Sequence, residues 1–145
     1  MPKHNLQVRQ HAQPFSWPVR VYYEDTDIAG VVYYANYLRY FERARTEWLR
    51  ALGFDLPELA AQHQVAFVVR SIAVEYLLPA RFNDALNISV ELGDVGASQI
   101  RMTQRVTRGN EVLVEAQVRL ACVDIAAMKP VRMPLLLSEK ISEKI

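Results

Sequence analysis

The alternation of apolar and polar positions predicts a strand near the start of the chain. Apolar residues occupy every second position from Trp17 to Tyr23, the period of a strand with one buried face. The pattern stops at the acidic, turn-prone sequence Glu24–Asp27, which is followed by Gly30. Residues 1–15 show no such period and are predicted to form a flexible N-terminal arm.

A period of three to four residues then predicts one long amphipathic helix. Asn36 is placed to cap its start, and Gly53 is placed to end it in a left-handed conformation. A short second helix is predicted over Pro57–Gln62. The periodic positions of the long helix are Tyr37, Leu38, Phe41, Ala44, Arg45, Trp48, Leu49 and Leu52.

The remainder of the domain is predicted to be strand. Segments rich in β-branched or alternating residues cover Val65–Leu77, Leu86–Leu92, Gln99–Thr107 and Val114–Cys122, with a turn at Arg108–Asn110. A sheet face and a helix stripe must each bury their apolar side, so the elements predict an antiparallel sheet packed on the long helix. The predicted class is α+β, with one domain over 16–134.

The last residues, 135–145, are predicted to be a C-terminal tail. The tetrapeptide Ser-Glu-Lys-Ile occurs twice at 138–145, and two copies of so short a unit indicate a frayed amphipathic end rather than a repeat architecture.

Composition limits the classes of function. The chain has 145 residues, 51% hydrophobic and 23% charged, which is typical of one globular domain. A net charge of +1 provides no general field for nucleic acid, and neither a secretion signal nor a membrane span is recognisable. The single cysteine, Cys122, excludes an internal disulfide framework and is predicted to be a core residue. A cytoplasmic protein without stable membrane insertion is expected.

The segment Tyr22–Tyr37 holds the candidate chemistry, since carboxylates and tyrosines lie there between a strand and a helix start. A helix N-terminus offers unpaired N–H groups that can hold an oxyanion. Two other interpretations stay open at this point. The acidic residues can simply cap the helix, or Asp25 and Asp27 can hold a divalent ion, although no phosphate-binding loop accompanies them. The histidines, His4, His11 and His63, are predicted to be surface residues.

The run Val21–Tyr37 resembles the active-site signature of the 4-hydroxybenzoyl-CoA thioesterase family, whose members have the hotdog fold. The similarity extends over residues 17–133 and is greatest to the acyl-CoA thioesterases associated with the Tol-Pal envelope system. Further matching segments are Phe41–Glu47, Ala66–Arg70, Val74–Tyr76, Pro79–Arg81, Cys122–Asp124 and Met128–Pro130.

The resemblance implies a five-stranded sheet wrapped around the long helix and hydrolysis of acyl-CoA without a metal or cofactor. It places the catalytic aspartate at Asp27, an activating helix amide at Tyr34 and a lining tyrosine at Tyr23. Many Tol-Pal-associated members have histidine at the position of Tyr34, whereas the hydroxybenzoyl-CoA branch has tyrosine. The residues expected to contact substrate are Gly30, Val31, Val32, Tyr33 and Asn36.

The resemblance also implies a homodimer or homotetramer that acts on acyl-CoA, or on acyl-carrier protein, and binds no nucleic acid. Two other functions remain open: a hydratase or dehydratase of acyl thioesters, and a non-catalytic thioester-binding scaffold of the cell envelope. The basic residues that could contact CoA are Arg70, Arg101, Arg105, Arg119, Lys129 and Arg132.

Overall fold

The computed structural model describes residues 14–144, which form one sheet and three α-helices. The strands are β1 (Phe15–Arg20), β2 (Val65–Tyr76), β3 (Ala85–Val95), β4 (Gln99–Arg108) and β5 (Glu111–Asp124). The helices are α1 (Asn36–Ala51), α2 (Leu56–His63) and α3 (Leu135–Ser142), and a single 3₁₀ turn covers Tyr23–Asp25. In residues 14–144, no helix has the length and apolar character needed to cross a membrane.

The sheet is antiparallel throughout and has the strand order β1-β3-β4-β5-β2. Leu120 of β5 lies opposite Ile100 of β4 on one side and opposite Val69 of β2 on the other. The edges are β1, with 6 residues, and β2, with 12 residues. The long β2 therefore leaves an extended backbone edge without a partner strand among the described residues.

Helix α1 packs on one face of this sheet and supplies much of the core. The buried residues of the helix include Tyr37, Phe41, Ala44, Trp48 and Leu49, as the period predicts. Leu38, which the same period assigns to the core, is exposed, and Tyr40 is buried instead. The predicted antiparallel sheet wrapped around one long helix is confirmed.

A buried amide fastens α1 to the sheet. Gln104 of β4 is fully buried, and its Nε2 donates to the Phe41 carbonyl at 3.1 Å. Its Oε1 accepts from the Arg45 guanidinium at 3.0 Å. A buried amide is tolerated when its donors and acceptors are satisfied, and here the bonds join helix and strand directly.

The two ends of α1 differ in how well the sequence predicted them. Gly53 ends the helix as predicted, with φ at +94° and its N–H bonded to the Arg50 carbonyl at 2.9 Å. The predicted cap at Asn36 is wrong, because Ala35 occupies the cap position and Asn36 is already helical. The Asn36 side chain instead turns to the preceding loop, where a buried carboxylate accepts its amide hydrogen.

The predicted frayed tail is also wrong over most of its length. Residues 135–142 form α3, and its Leu137 and Ile141 are fully buried members of the main core. Ile141 ends the first copy of the repeated tetrapeptide, so that copy contributes an apolar side chain to the core. The predicted N-terminal arm lies outside the described residues except for Pro14 and Phe15, and Phe15 begins β1.

Candidate active site

The loop between β1 and α1 is held against the body of the protein by backbone hydrogen bonds. Thr26 and Val32 pair as an isolated antiparallel bridge, so the segment between them forms a short closed loop. The Val32 N–H donates to the Ala80 carbonyl at 2.9 Å, and Val31 pairs with Arg81. The segment after β2 therefore fixes where this loop lies.

Asp25 is a structural carboxylate within the loop. It is only 8% exposed, and its Oδ2 accepts from the Tyr22 N–H at 2.8 Å. Its Oδ1 accepts from the Asn36 amide at 3.0 Å, which joins the loop to the first turn of α1. The Tyr40 hydroxyl is buried beside these groups, and its burial raises the pKa of Tyr40, with the adjacent Asp25 carboxylate adding to the rise.

Asp27 lies in an exposed turn two residues further on. Its Oδ1 accepts from the Ala29 N–H at 2.9 Å, while its own N–H donates to the Val31 carbonyl at 2.9 Å. Gly30 closes the turn with φ at +80°, a conformation that favours glycine. No residue within 14–144 donates a hydrogen bond to Oδ2, so one carboxylate oxygen is oriented by the turn and the other is open to a ligand or water.

The start of α1 presents backbone donors without acceptors. The Asn36 N–H bonds to the Tyr33 carbonyl at 2.8 Å, and the Leu38 N–H bonds to the Ala35 carbonyl at 3.2 Å. The N–H groups of Tyr34 and Ala35 have no acceptor in the part of the chain that the structure describes. Such groups carry the partial positive charge of a helix N-terminus and can bind an oxyanion.

Aromatic side chains surround the loop. The Tyr23 and Phe82 rings pack edge to face with their centroids 5.8 Å apart, and the Tyr34 and Tyr76 rings do the same at 6.1 Å. The Tyr76 hydroxyl donates to the Tyr34 carbonyl at 3.2 Å. Partial burial raises the pKa of Tyr76 above its ordinary value of 10.0, so its hydroxyl is a donor at neutral pH. Tyr76 and Phe82 were not predicted as site residues, because they lie at and after the end of β2, about 40 residues or more beyond the loop in sequence.

The predicted site residues share one loop but differ in exposure. The side chains of Tyr23, Asp27 and Tyr34 are exposed, as are Gly30 and Tyr33. Two predicted substrate contacts are not exposed: Val32 is a core residue, and the Asn36 side chain is buried against Asp25. The catalytic and binding roles of all these residues stay predictions.

A second feature is an apolar cavity of about 80 Å³ under the first half of β2. It lies between the C-terminal half of α1 and the sheet, with Arg45 at its wall; burial lowers the pKa of Arg45. The lining residues are Glu42, Arg45, Thr46, Trp48, Leu49, Leu56, Phe67, Val69, Ile100 and Leu120.

The basic residues proposed for CoA divide into paired and unpaired groups. Arg105 is held by Glu91 at 2.9 Å and by Glu115 at 2.6 Å, so its charge is already compensated. Arg101 faces Arg119 across β4 and β5, and neither has a carboxylate within 4.0 Å in residues 14–144.

Cys122 is buried, as predicted, and burial raises its thiol pKa to about 11, which makes it a poor nucleophile.

A five-stranded antiparallel sheet around one long helix is the architecture of a hotdog-fold protein. Residues 21–145 match the sequence profile of the thioesterase-like superfamily. The chain belongs to this superfamily, and the resemblance found in the sequence is confirmed.

Similar proteins support this assignment. The acyl-CoA thioesterase YbgC of Haemophilus influenzae is 49% identical over 120 residues, covering 83% of this chain and 88% of the relative. The acyl-CoA thioester hydrolase YbgC of Escherichia coli O157:H7 is 50% identical, covering 83% of this chain and 90% of the relative. The crystal structure of a probable thioesterase from Bartonella henselae superimposes with a TM-score of 0.81 at 35% identity, covering 84% of this chain and all of that one.

Proposed function

We propose that this protein hydrolyses acyl-CoA thioesters to a free carboxylic acid and CoA. The observation that carries the proposal is that one loop holds both the open Asp27 carboxylate oxygen and the unpaired N–H groups of Tyr34 and Ala35. The names of the two YbgC relatives, each about half identical to this chain, support the same activity.

In the proposed reaction, the thioester carbonyl oxygen accepts hydrogen bonds from the Tyr34 or Ala35 N–H. Asp27 acts either as a base toward water or as a nucleophile that forms a transient anhydride, which water then opens. The C–S bond breaks, and CoA leaves as a thiolate. A thiol has a pKa of about 8.5, against 15.7 for water, so the leaving group needs no strong acid. Amide donors stabilise the oxyanion that forms during either route.

Two other functions make different demands on the same loop. A hydratase or dehydratase needs a second acid–base group beside the carboxylate, and the loop from Tyr22 to Asn36 contains no histidine. A non-catalytic binder needs no carboxylate with an open oxygen. The exposed and oriented Asp27 therefore favours hydrolysis over both.

We also propose that two copies pair along β2 to form one continuous sheet. Strand β2 is the long edge of the sheet, and apolar side chains are exposed at its end and just beyond it: Tyr76, Leu77 and Leu78. A long open edge with apolar side chains is an aggregation hazard that pairing removes. Antiparallel pairing would bring the first half of the partner's β2 beside the Tyr34 loop, so each site would draw on two chains.

This pairing gives the apolar cavity a role in binding the acyl group. Along α1 the cavity lining runs from Glu42 to Leu49, about 9 to 20 Å beyond Asn36 on the helix axis. The cavity adjoins the first half of β2, so it would serve the partner's site. A space of about 80 Å³ is only a few water molecules in size, at about 30 Å³ for each, which favours a short acyl group.

An assay of free-thiol release over short, long and aromatic acyl-CoAs tests the proposal. Hydrolysis releases one equivalent of CoA thiol per acid, and short acyl groups should react with the highest kcat/KM. Conversion of an unsaturated acyl-CoA without thiol release would indicate the hydratase. Tight binding of every substrate without turnover would indicate the scaffold. Cytoplasmic location and association with the envelope system stay predictions.

A further inference from the structure

The Tyr34 carbonyl lies just before the start of α1, because Ala35 is the cap residue. It is outside the hydrogen bonding of the helix, and the Leu38 N–H bonds to the Ala35 carbonyl at 3.2 Å. No backbone N–H within residues 14–144 bonds to the Tyr34 carbonyl. The Tyr76 hydroxyl, which comes from the end of β2, donates to it at 3.2 Å.

The geometry of the peptide bond links this carbonyl to an oxyanion donor. In a planar trans peptide, the carbonyl of one residue and the N–H of the next point in opposite directions. The Tyr34 carbonyl and the Ala35 N–H belong to one such plane. Fixing the carbonyl toward Tyr76 therefore fixes the Ala35 N–H away from it, on the side where it has no acceptor among the described residues.

The neighbouring peptide plane is held by the helix itself. The Tyr33 carbonyl accepts from the Asn36 N–H at 2.8 Å, and this bond sets the direction of the Tyr34 N–H. The two N–H groups of the proposed oxyanion site are thus oriented by different bonds. One bond is local to the first helical turn, and the other depends on a side chain 42 residues away.

We propose that Tyr76 is a positioning residue, which holds the Tyr34–Ala35 peptide plane so that the Ala35 N–H faces the thioester oxyanion. This inference rests on the proposed hydrolytic function. Preorganised donors stabilise the transition state because they need no reorientation when charge develops. The Tyr76 ring is itself held by packing, since its centroid lies 6.1 Å from that of Tyr34 and 5.7 Å from that of Tyr37.

The test compares Tyr76→Phe with the wild-type protein and with a matched control. The variant keeps the ring and removes only the hydroxyl. The control is Tyr37→Phe, which also loses one hydroxyl hydrogen bond, the one that accepts from the Ala80 N–H at 3.1 Å. Tyr37 is buried and does not bond to the Tyr34 peptide, so it reports the effect of a lost bond elsewhere in the same aromatic cluster.

For Tyr76→Phe, we expect kcat to fall about 10-fold with KM and Tm unchanged, which is less than the loss from removing an oxyanion donor altogether. For Tyr37→Phe, we expect a lower Tm with kcat within about two-fold of the wild type. Equal kcat losses in both variants, a Tyr76→Phe loss that follows Tm, or a kcat within two-fold for Tyr76→Phe would each overturn the inference.

The Asp27→Asn variant, assayed beside these, separates the inference from the proposed function. If Asp27→Asn is inactive while Tyr76→Phe is fully active, the positioning role is wrong and the hydrolytic function stands. If the wild-type protein releases no thiol from any acyl-CoA, the proposed function itself fails.

Discussion

Asp25 and Asp27 stand two residues apart, and the structure holds their carboxylates in different ways. Asp25 is buried with both oxygens bonded, whereas Asp27 is exposed with one oxygen open. Neighbouring acidic residues in one loop are therefore not interchangeable. The contacts of Asp25 give it a structural role, and the catalytic role that the resemblance implies for Asp27 stays a prediction.

We expect Asp25→Asn to lower the free energy of unfolding by about 1–3 kcal/mol. The two oxygens of Asp25 accept from two donors, and an asparagine has only one acceptor oxygen to offer them. Urea unfolding of the variant and the wild type measures the difference. An unchanged unfolding midpoint would show that the loop does not depend on this carboxylate.

Tyr34 tests whether the site uses the side chain or the backbone. Tyr34→Phe should keep the rate within a few-fold, because the N–H groups at the start of α1 remain. Tyr23→Phe should cause a moderate loss, since the hydroxyl of this exposed tyrosine is predicted to orient the reacting groups. The kcat of each variant is measured and compared with that of the wild-type protein. A large loss for Tyr34→Phe with an unchanged Tm would assign the chemistry to its phenol.

At the scale of elements, local patterns predicted most of the fold. The α1 core positions and its end at Gly53 follow from spacing and backbone preference, which depend on residues close in sequence. The C-terminal helix α3 was missed because its burial depends on the sheet that it packs against, not on its own short pattern. The bond between Tyr76 and Tyr34 spans 42 residues, and a single sequence does not show such contacts.

The segment between β2 and β3 should owe part of its stability to Asp84. Partial burial raises the pKa of Asp84, but bonds from the Arg81 N–H at 2.8 Å and the Arg108 guanidinium at 2.7 Å outweigh it, so the pKa is lowered. A carboxylate with a lowered folded pKa stabilises the fold above its unfolded pKa and loses that contribution as pH falls.

We therefore expect Asp84→Asn to be less stable than the wild type by about 1 kcal/mol at pH 7. The difference should shrink as pH falls below about 4, because the Asp84 carboxylate becomes protonated in the unfolded chain before it does in the folded protein. Urea unfolding of both proteins between pH 3 and pH 7 measures it. A difference that is constant over this range would contradict the assigned role of the charge.

At the scale of the whole molecule, the unpaired β2 edge predicts a homodimer as the smallest active unit. Light scattering at micromolar concentration should give at least twice the chain mass of 16.6 kDa. Leu77→Glu should weaken the assembly, because it places a charge just beyond β2. Leu135→Glu on α3 is the control, since it makes the same change at an exposed leucine away from β2. A fully active wild-type monomer would refute the pairing.

The Asp27→Asn variant tests whether Asp27 performs the hydrolysis. Asparagine keeps the shape, and its side-chain oxygen can still accept from the Ala29 N–H, but the basic and nucleophilic oxygen is lost. We expect kcat on acyl-CoA to fall about 100-fold or more, with Tm unchanged. Near-normal thiol release by the folded variant would contradict it and would leave Asp27 as a turn residue.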